Sequence, residues 1–348
     1  MCPEKKFAIY RDKGRGDVLY CGKITPTGGI TMICNAPITT WQKGDEVEGF
    51  YLLSDAAVKT SNAGKPFLSA TVRDGSGAMA LKAWDYAGPI GEQDNGAVIK
   101  VRGRVQDYKG ALQLVADKLR RAESADEYDL GAIVPTAPID REAAWQQVCD
   151  LMDSMTDPDF QAVARAVLAR HEAAFRAIPA AKSVHHGFVG GLLMHTSRML
   201  SIADFLTRLY PDVVNRDLVL TGTLCHDMAK DAEFAFSPAG LVTDYTVPGR
   251  LLGHSVMEAR EIAALCEELS IPAEKSTLLQ HLILSHHGQP EFGAAVIPQC
   301  AEAELLHHVD LIDSRMEIYA EELSHLDKGG VSGRIYALDK RIYRPNLD

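Results

Sequence analysis

The sequence predicts a multidomain chain in which an all-β barrel is followed by an all-α helical domain. Three observations predict this. The chain has 348 residues, enough for about two domains at roughly 100–200 residues each. Up to residue 121, short runs rich in Val, Ile, Thr and aromatics are broken by Gly, Asp and Asn, as in short strands. From about residue 141 the apolar positions recur every three to four residues, as on the buried face of a helix.

The strands are expected at Val47–Leu53, Phe67–Arg73, Ala78–Trp84, Ala97–Tyr108 and Ala111–Leu119. Asp74-Gly75-Ser76-Gly77 and Tyr108-Lys109-Gly110 lie between consecutive runs and read as hairpin turns. Short strands at this spacing suggest a small closed barrel. Residues 122–142 hold Pro135, Pro138 and the acidic residues between Glu123 and Asp129, which read as a linker. Helices are expected at about 141–155, 158–175, 188–209, 213–229, 254–268, 273–285 and 299–325. Leu192, His195, Met199, Ile202 and Leu206 share one face of the third. Asp157-Pro158 and Ser183 are helix-start signals. The tail Gly329–Asp348 is expected to be extended and packed, because Ile335, Tyr336, Leu338, Ile342 and Tyr343 are too apolar for a free end. The boundaries so read are 1–121 for the barrel, 122–142 for the linker, 143–328 for the helical domain and 329–348 for the tail.

Composition narrows the function. The chain is 46% hydrophobic and 24% charged, so each half can bury a core. It has no apolar run of membrane-spanning length and no apolar leader after Met1. The expectation is a cytoplasmic protein without a membrane partner. Seven scattered cysteines with no Cys-x-x-Cys pair argue against a disulfide framework or zinc ribbon; Cys225 is expected in a helix core. The net charge of −11 argues against a generally basic nucleic-acid binder. The charge is uneven, however. Residues 1–125 carry 18 Lys+Arg against 14 Asp+Glu, and the remainder 18 against 33. A mildly basic first segment can still meet phosphates locally.

Five places in the helical half offer metal ligands: His195, His226-Asp227, His254, His286-His287 and Asp310. Imidazole nitrogen and carboxylate oxygen together suit Mn, Fe, Co, Ni or Zn. Taken singly, a helical His is more often packed or solvated than ligating. The ordered set is more informative. Separations of 31, 27, 32 and 24 residues fit one or two ligands from each of several successive helices aimed at one interior site.

The ordered pattern His195…His226-Asp227…Asp310 resembles the HD superfamily of metal-dependent phosphohydrolases, and His254 with His286-His287 resembles its dinuclear branch. The words around them strengthen the likeness: His185-His186-Gly187-Phe188-Val189-Gly190-Gly191 before Leu192-Leu193-Met194-His195, then His226-Asp227-Met228-Ala229-Lys230, then Ser285-His286-His287-Gly288. The resemblance implies a first metal on His195, His226, Asp227 and Asp310. It implies a second on His254 and His286, bridged by Asp227, with manganese favoured. His287 is left as ligand, outer donor or substrate contact. Asp313 reads equally as a supporting residue or a solvated one. The implied nucleophile is a metal-bound hydroxide. Lys230 reads either as a phosphate clamp or as a solvated lysine at a helix C-terminus. His185 and His186 read either as substrate contacts or acids, or as structural residues at a helix entry.

In the first segment, Phe67 to Asp85 and Val101 to Leu114 resemble strand pairs of an OB-fold. Such barrels stack bases on exposed aromatics and meet the backbone with cations. The candidates are Phe67, Lys82, Trp84, Tyr86, Arg102, Arg104, Tyr108 and Lys109. The alternative for the aromatics is barrel core. An OB barrel followed by an HD domain is similar to the YhaM family of bacterial 3′→5′ exoribonucleases, and Gly333 to Pro345 is similar to that family's C-terminal segment. The resemblance implies 3′→5′ hydrolysis of single-stranded RNA or DNA. Two alternatives stand beside it: an HD phosphohydrolase of small nucleotides, and a non-catalytic single-strand binder. The sequence leaves the oligomeric state open.

Overall fold

The computed structural model describes residues 7–11, 19–23 and 36–347, except residues 62, 124, 182–186 and 238. The chain divides into two compact units, Met1–Thr136 with Ser237–Ala239, and Ala137–Phe236 with Gly240–Asp348.

In the first unit, β1 (Phe7–Arg11) and β2 (Leu19–Lys23) form an antiparallel pair. The barrel follows: β3 (Glu46–Thr60), β4 (Pro66–Arg73), β5 (Ala78–Trp84), β6 (Val98–Tyr108) and β7 (Ala111–Arg121). It closes in the order β3-β4-β5-β7-β6, with β5 and β7 parallel. Strand alternation sets the two faces. Leu68, Ala70, Val72, Leu81, Ala83, Ile99, Val101, Val105 and Leu114 are buried in one core. The residues between them, Phe67, Lys82, Trp84, Arg102 and Arg104 among them, therefore point outward. Strand β3 runs past its expected end, to Thr60, through a bulge between Ser54 and Ala57, where Asp55 takes φ 53°.

Both expected hairpins form. Asp74 organises the first. Its buried carboxylate accepts from the Ser76 and Gly77 amides at 2.8 and 2.9 Å, and from the Ile38 amide at 2.9 Å. Lys109 and Gly110 turn the second with φ of 55° and 86°, the left-handed pair that a two-residue turn requires. The segment 122–142 contains the one-turn helix α1 (Leu130–Ile133) and the start of the next helix. The division between units falls inside it, after Thr136.

The second unit is built from α2 (Arg141–Asp153), α3 (Pro158–Phe175), α4 (Gly191–Leu209), α5 (Arg216–Cys225) and α6 (Lys230–Glu233). It continues with a short hairpin, β8 (Phe234–Phe236) and β9 (Val242–Tyr245), then α7 (Val247–Glu268), α8 (Ala273–Ser285) and α9 (Ala301–Ser324). Asp157 caps α3 by accepting from the Asp159 amide at 3.0 Å, with Pro158 at the first helical position. Ser183 lies outside the described residues, and α4 starts instead behind Gly190 in the left-handed region, φ 76°. Residues from α2, α3, α4, α5, α7, α8 and α9 share one apolar core. Cys225 lies within that core, as expected.

Three local departures from the sequence reading matter. The helix expected over 213–229 stops at Cys225, so that His226 to Ala229 form an irregular turn before α6. The helix expected from 254 starts at Val247 and breaks at Gly253, φ 73°, so that His254 opens its second segment. The β8–β9 hairpin interrupts a domain read as wholly helical. In the tail, Ile342 is buried and Arg344 Nη1 donates to the Leu323 carbonyl at 2.8 Å. Tyr336 and Tyr343, read as packed, are instead 94% and 55% exposed. No described helix is long and apolar enough to cross a membrane.

Candidate metal centre and nucleic-acid interface

Helix ends deliver most of the polar cluster. His195 comes from the start of α4, His226 and Asp227 from the turn after α5, and His254 from the restart of α7. His286 and His287 follow the end of α8, and Asp310 sits midway along α9. His195, His226 and Asp227 form one group of potential ligand atoms within 4.8 Å of one another, and His254, His286 and His287 a second.

Asp227 faces both groups. Its Oδ2 lies 3.3 Å from His226 Nε2 and 3.9 Å from His195 Nε2, while its Oδ1 lies 3.3 Å from His254 Nε2. Asp310 Oδ1 is 3.4 Å from His195 Nε2. His287 Nε2 is 3.3 Å from His254 Nε2.

Hydrogen bonds on the far side of each ring fix which nitrogen faces inward. His226 Nδ1 lies 2.8 Å from the Thr223 carbonyl, and His286 Nδ1 lies 2.6 Å from the Ile283 carbonyl. A carbonyl only accepts, so the proton sits on Nδ1 and Nε2 keeps its lone pair. Asp313 takes the same part for His195, at 2.7 Å from Nδ1. Glu233 takes it for His254, with both oxygens 3.1 Å from Nδ1. Carboxylates and carbonyls behind histidines are the usual outer support of a metal ligand set.

The electrostatics match. Burial would raise the Asp227 carboxyl, but Lys230 and His226 hold it well below the carboxylate range. Burial, then the neighbouring imidazoles of His287 and His226, pushes His286 well below the usual histidine value. Burial and His254 bring His287 down to about 4. Both are therefore neutral lone-pair donors at pH 7. Burial opposes charge on His195, yet Asp310 and Asp313 raise it to about 9; a cation beside these carboxylates would take the place of that proton.

A cation fits on structural grounds. His226 Nε2, Asp227 Oδ1 and His286 Nε2 are buried with no hydrogen-bond partner among the described residues. Orphaned acceptors of this kind cost free energy unless something binds them. A hard-to-borderline divalent metal accepts this nitrogen and oxygen set.

The cluster opens into a cavity of about 320 Å³ lined by His195, Asp227, Lys230, His287 and Asp310, with Phe292, His307 and Arg315 on its other walls. Lys230 Nζ is 2.6 Å from Asp227 Oδ2, so it neutralises the shared carboxylate and still borders the cavity. His185 and His186 lie outside the described residues. Glu233, His307, Phe292 and Arg315 were not singled out from the sequence. The acidic character of the His-Asp-Met-Ala-Lys-Asp-Ala-Glu run was the available signal for Glu233; the other three had none.

On the barrel, Phe67 and Trp84 are register partners on β4 and β5 with ring centroids 4.9 Å apart. Trp84 is 53% exposed, and Lys82 Nζ lies 5.7 Å from the Phe67 centroid. This is an outward aromatic pair with a cation beside it. Tyr108 and Lys109 are exposed at the β6–β7 turn, with the ammonium 5.4 Å from the ring. Arg102 is exposed beside Lys118, its register partner on β7, whereas Arg104 is paired with Glu46 at 2.6 Å. Tyr86 differs: its hydroxyl accepts from the Ile90 amide at 2.8 Å and it packs against the barrel core, the place of a loop brace.

Residues 192–315 match the family model for the HD domain. The match includes every candidate ligand of the cluster, and an HD domain indicates a metal-dependent phosphohydrolase. Residues 56–122 match the tRNA anti-codon family model, described as an OB-fold nucleic acid binding domain. Among solved structures, the chain is similar to the second OB-fold domain of replication protein A from Methanococcus maripaludis. Identity there is 17%, over 27% of this chain and 99% of that one, with a TM-score of 0.21. It is also similar to a replication protein A heterotrimer bound to single-stranded DNA, at 12% identity over 29% of this chain and 70% of that one, TM-score 0.20. A third likeness is the PriB protein of Ralstonia solanacearum, at 13% identity over 22% and 97%, TM-score 0.19.

Proposed function

We propose that this chain is a 3′→5′ exonuclease that hydrolyses phosphodiester bonds of single-stranded RNA or DNA with two divalent metal ions, manganese favoured. One observation carries the hydrolytic part: buried His226, Asp227 and His286 atoms without partners converge beside a cavity that also holds a lysine. In this reading His195, His226, Asp227 and Asp310 hold one ion, His254 and His286 hold the other, and Asp227 is shared. The position of His287 Nε2 beside His254 Nε2 supports adding His287 to the second set. Bound there, the ions would polarise the phosphoryl oxygens and make water more acidic.

The chain's own residues do the rest. Asp313 and Glu233 hold His195 and His254 in orientation. Lys230 keeps Asp227 ionised and offers positive charge to the phosphoryl oxygens. The Phe67–Trp84 pair, with Lys82, gives the barrel a base-stacking platform. The match to an OB-fold nucleic acid binding domain supports this substrate class. The 3′→5′ direction rests on the resemblance of Gly333–Pro345 to the exoribonuclease family.

The test uses the full chain, Mn²⁺ and a 5′-labelled single-stranded oligonucleotide, with free nucleotides in parallel. A ladder shortening stepwise from the 3′ end is expected. Hydrolysis of free nucleotides alone would make the protein a small-nucleotide phosphohydrolase. Tight strand binding without hydrolysis of either would make it a binding protein.

A further inference from the structure

We infer that Phe292 and Arg315 form a nucleoside-binding subsite in the wall of the metal-site cavity, with Phe292 stacking a nucleobase and Arg315 taking an adjoining phosphate. This deepens the hydrolase reading and rests on it for the orientation of the ligand.

Phe292 lines the same cavity as Asp227 and Lys230, yet it is 72% exposed. Among the described residues it has no aromatic or cationic ring partner. An exposed phenyl ring in the cavity wall offers a flat apolar face on which a planar ligand can stack. Leu311 and Ile318 add apolar surface to the same cavity, which a sugar or base edge can use and a bare phosphate cannot.

The backbone ties this ring to the metal cluster. Phe292 ends a single helical turn, Pro290–Phe292, that starts three residues after His287. The turn is anchored at both sides. The Gly288 amide donates to the Ser285 carbonyl at 2.8 Å, and the Ala295 amide to the Leu284 carbonyl at 2.9 Å. Gly288 lies in the left-handed region at φ 78°, and a Cβ there would collide with the His307 ring. The chain thus leaves the candidate ligand His287 and returns to α8 within a few residues, so the ring cannot drift far from the cluster.

Arg315 supplies the second part. Lys230 is paired with Asp227 at the metal cluster, so its charge serves the phosphoryl group held there. Arg315, five residues beyond Asp310 on α9, borders the cavity with no hydrogen bond or ion pair among the described residues. A guanidinium left free beside an anionic site is suited to a phosphate that is not the one being cut. A cavity of about 320 Å³ is at the small end of ligand sites. A single nucleotide unit, with its base on Phe292, is the occupant whose chemistry matches every wall.

The test is calorimetric titration of the full chain with adenosine 5′-monophosphate and with ribose 5-phosphate, which lacks the base. Wild-type protein should bind the nucleotide about tenfold more tightly. Phe292→Ala should bind both alike, Phe292→Trp should restore the preference, and Arg315→Gln should weaken both. Because Phe292 is exposed, its truncation leaves the fold intact. Equal binding of the two ligands by wild-type protein, or a preference that survives Phe292→Ala, would overturn the subsite. In parallel, KM for a strand with a normal 3′ terminus is compared with KM for one ending in an abasic residue. Strand cleavage without base preference removes the subsite and keeps the hydrolase. Base preference in binding without strand cleavage removes the hydrolase and keeps the subsite.

Discussion

Glu233 holds His254 three times. Both carboxylate oxygens lie 3.1 Å from its Nδ1, and Oε1 also accepts from its backbone amide at 3.0 Å. This fixes His254 at the first position after the break at Gly253, with Nε2 turned toward Asp227. Removing the acceptor charge should loosen the ring without emptying the site. Glu233→Gln is expected to weaken metal binding by about 10- to 100-fold. The measurement is calorimetric titration with Mn²⁺, with circular dichroism to show that the helices persist; unchanged affinity would remove the orienting role.

Asp227 is shared between the two histidine groups. Asp227→Ala is expected to abolish both metal retention and turnover, since every ion at the cluster loses a ligand. Metal analysis after dialysis, paired with strand cleavage, checks this. An active variant with full metal content would refute the shared role.

Trp84 lies on the outer face of β5, while Leu81 and Ala83 fill the barrel. Trp84→Ala is therefore expected to leave the melting temperature nearly unchanged. It should weaken single-strand binding by about 1–3 kcal/mol. A large drop in melting temperature would instead make Trp84 a structural residue.

His171 ties α3 to α6 and α7, with Asp231 Oδ2 at 2.8 Å and Glu261 Oε1 at 3.0 Å. Those hydrogen bonds, first to Asp231 and then to Glu261, raise it to about 10 against the opposing effect of burial. Its stabilising contribution is fully present below the unfolded value near 6.5 and is lost as pH rises through about 10. His171→Gln should lower stability at pH 7 by about 3 kcal/mol and flatten the decline between pH 7 and 10. Urea unfolding across that range reads both.

Glu258 is fully buried, and neither carboxyl oxygen has a hydrogen-bond partner among the described residues. Burial, with the charge of Glu261 adding to it, pushes Glu258 up to about 8. The neutral acid is thus the folded form. The stability it lends is complete below the unfolded value near 4.5 and fades as pH climbs through 8. Glu258→Gln should melt close to wild type at pH 5 and above it at pH 9. A wild-type advantage at pH 9 would contradict this.

Much of this was written in local sequence. Alternating strands at Phe67–Arg73 and Ala78–Trp84, the Asp74 turn and the Asp157-Pro158 start each depend on neighbours a few residues away. The candidate ligands were legible as an ordered set, one or two from each of several successive helices, and through the resemblance that the set carries. Asp313 was visible only as a neighbour of Asp310; its bond to His195 spans 118 residues.

The sequence by itself determined the two fold types, the two barrel hairpins and the residue kinds able to hold a metal, because those follow from short-range periodicity and donor chemistry. Tertiary structure alone decided which tyrosine braces a loop and which aromatics face outward. It alone turned Glu233 behind His254, and it alone left Phe292 uncovered beside Arg315. These are distances between atoms far apart along the chain, set by where α7 breaks and how α8 and α9 pack, and no local pattern encodes them.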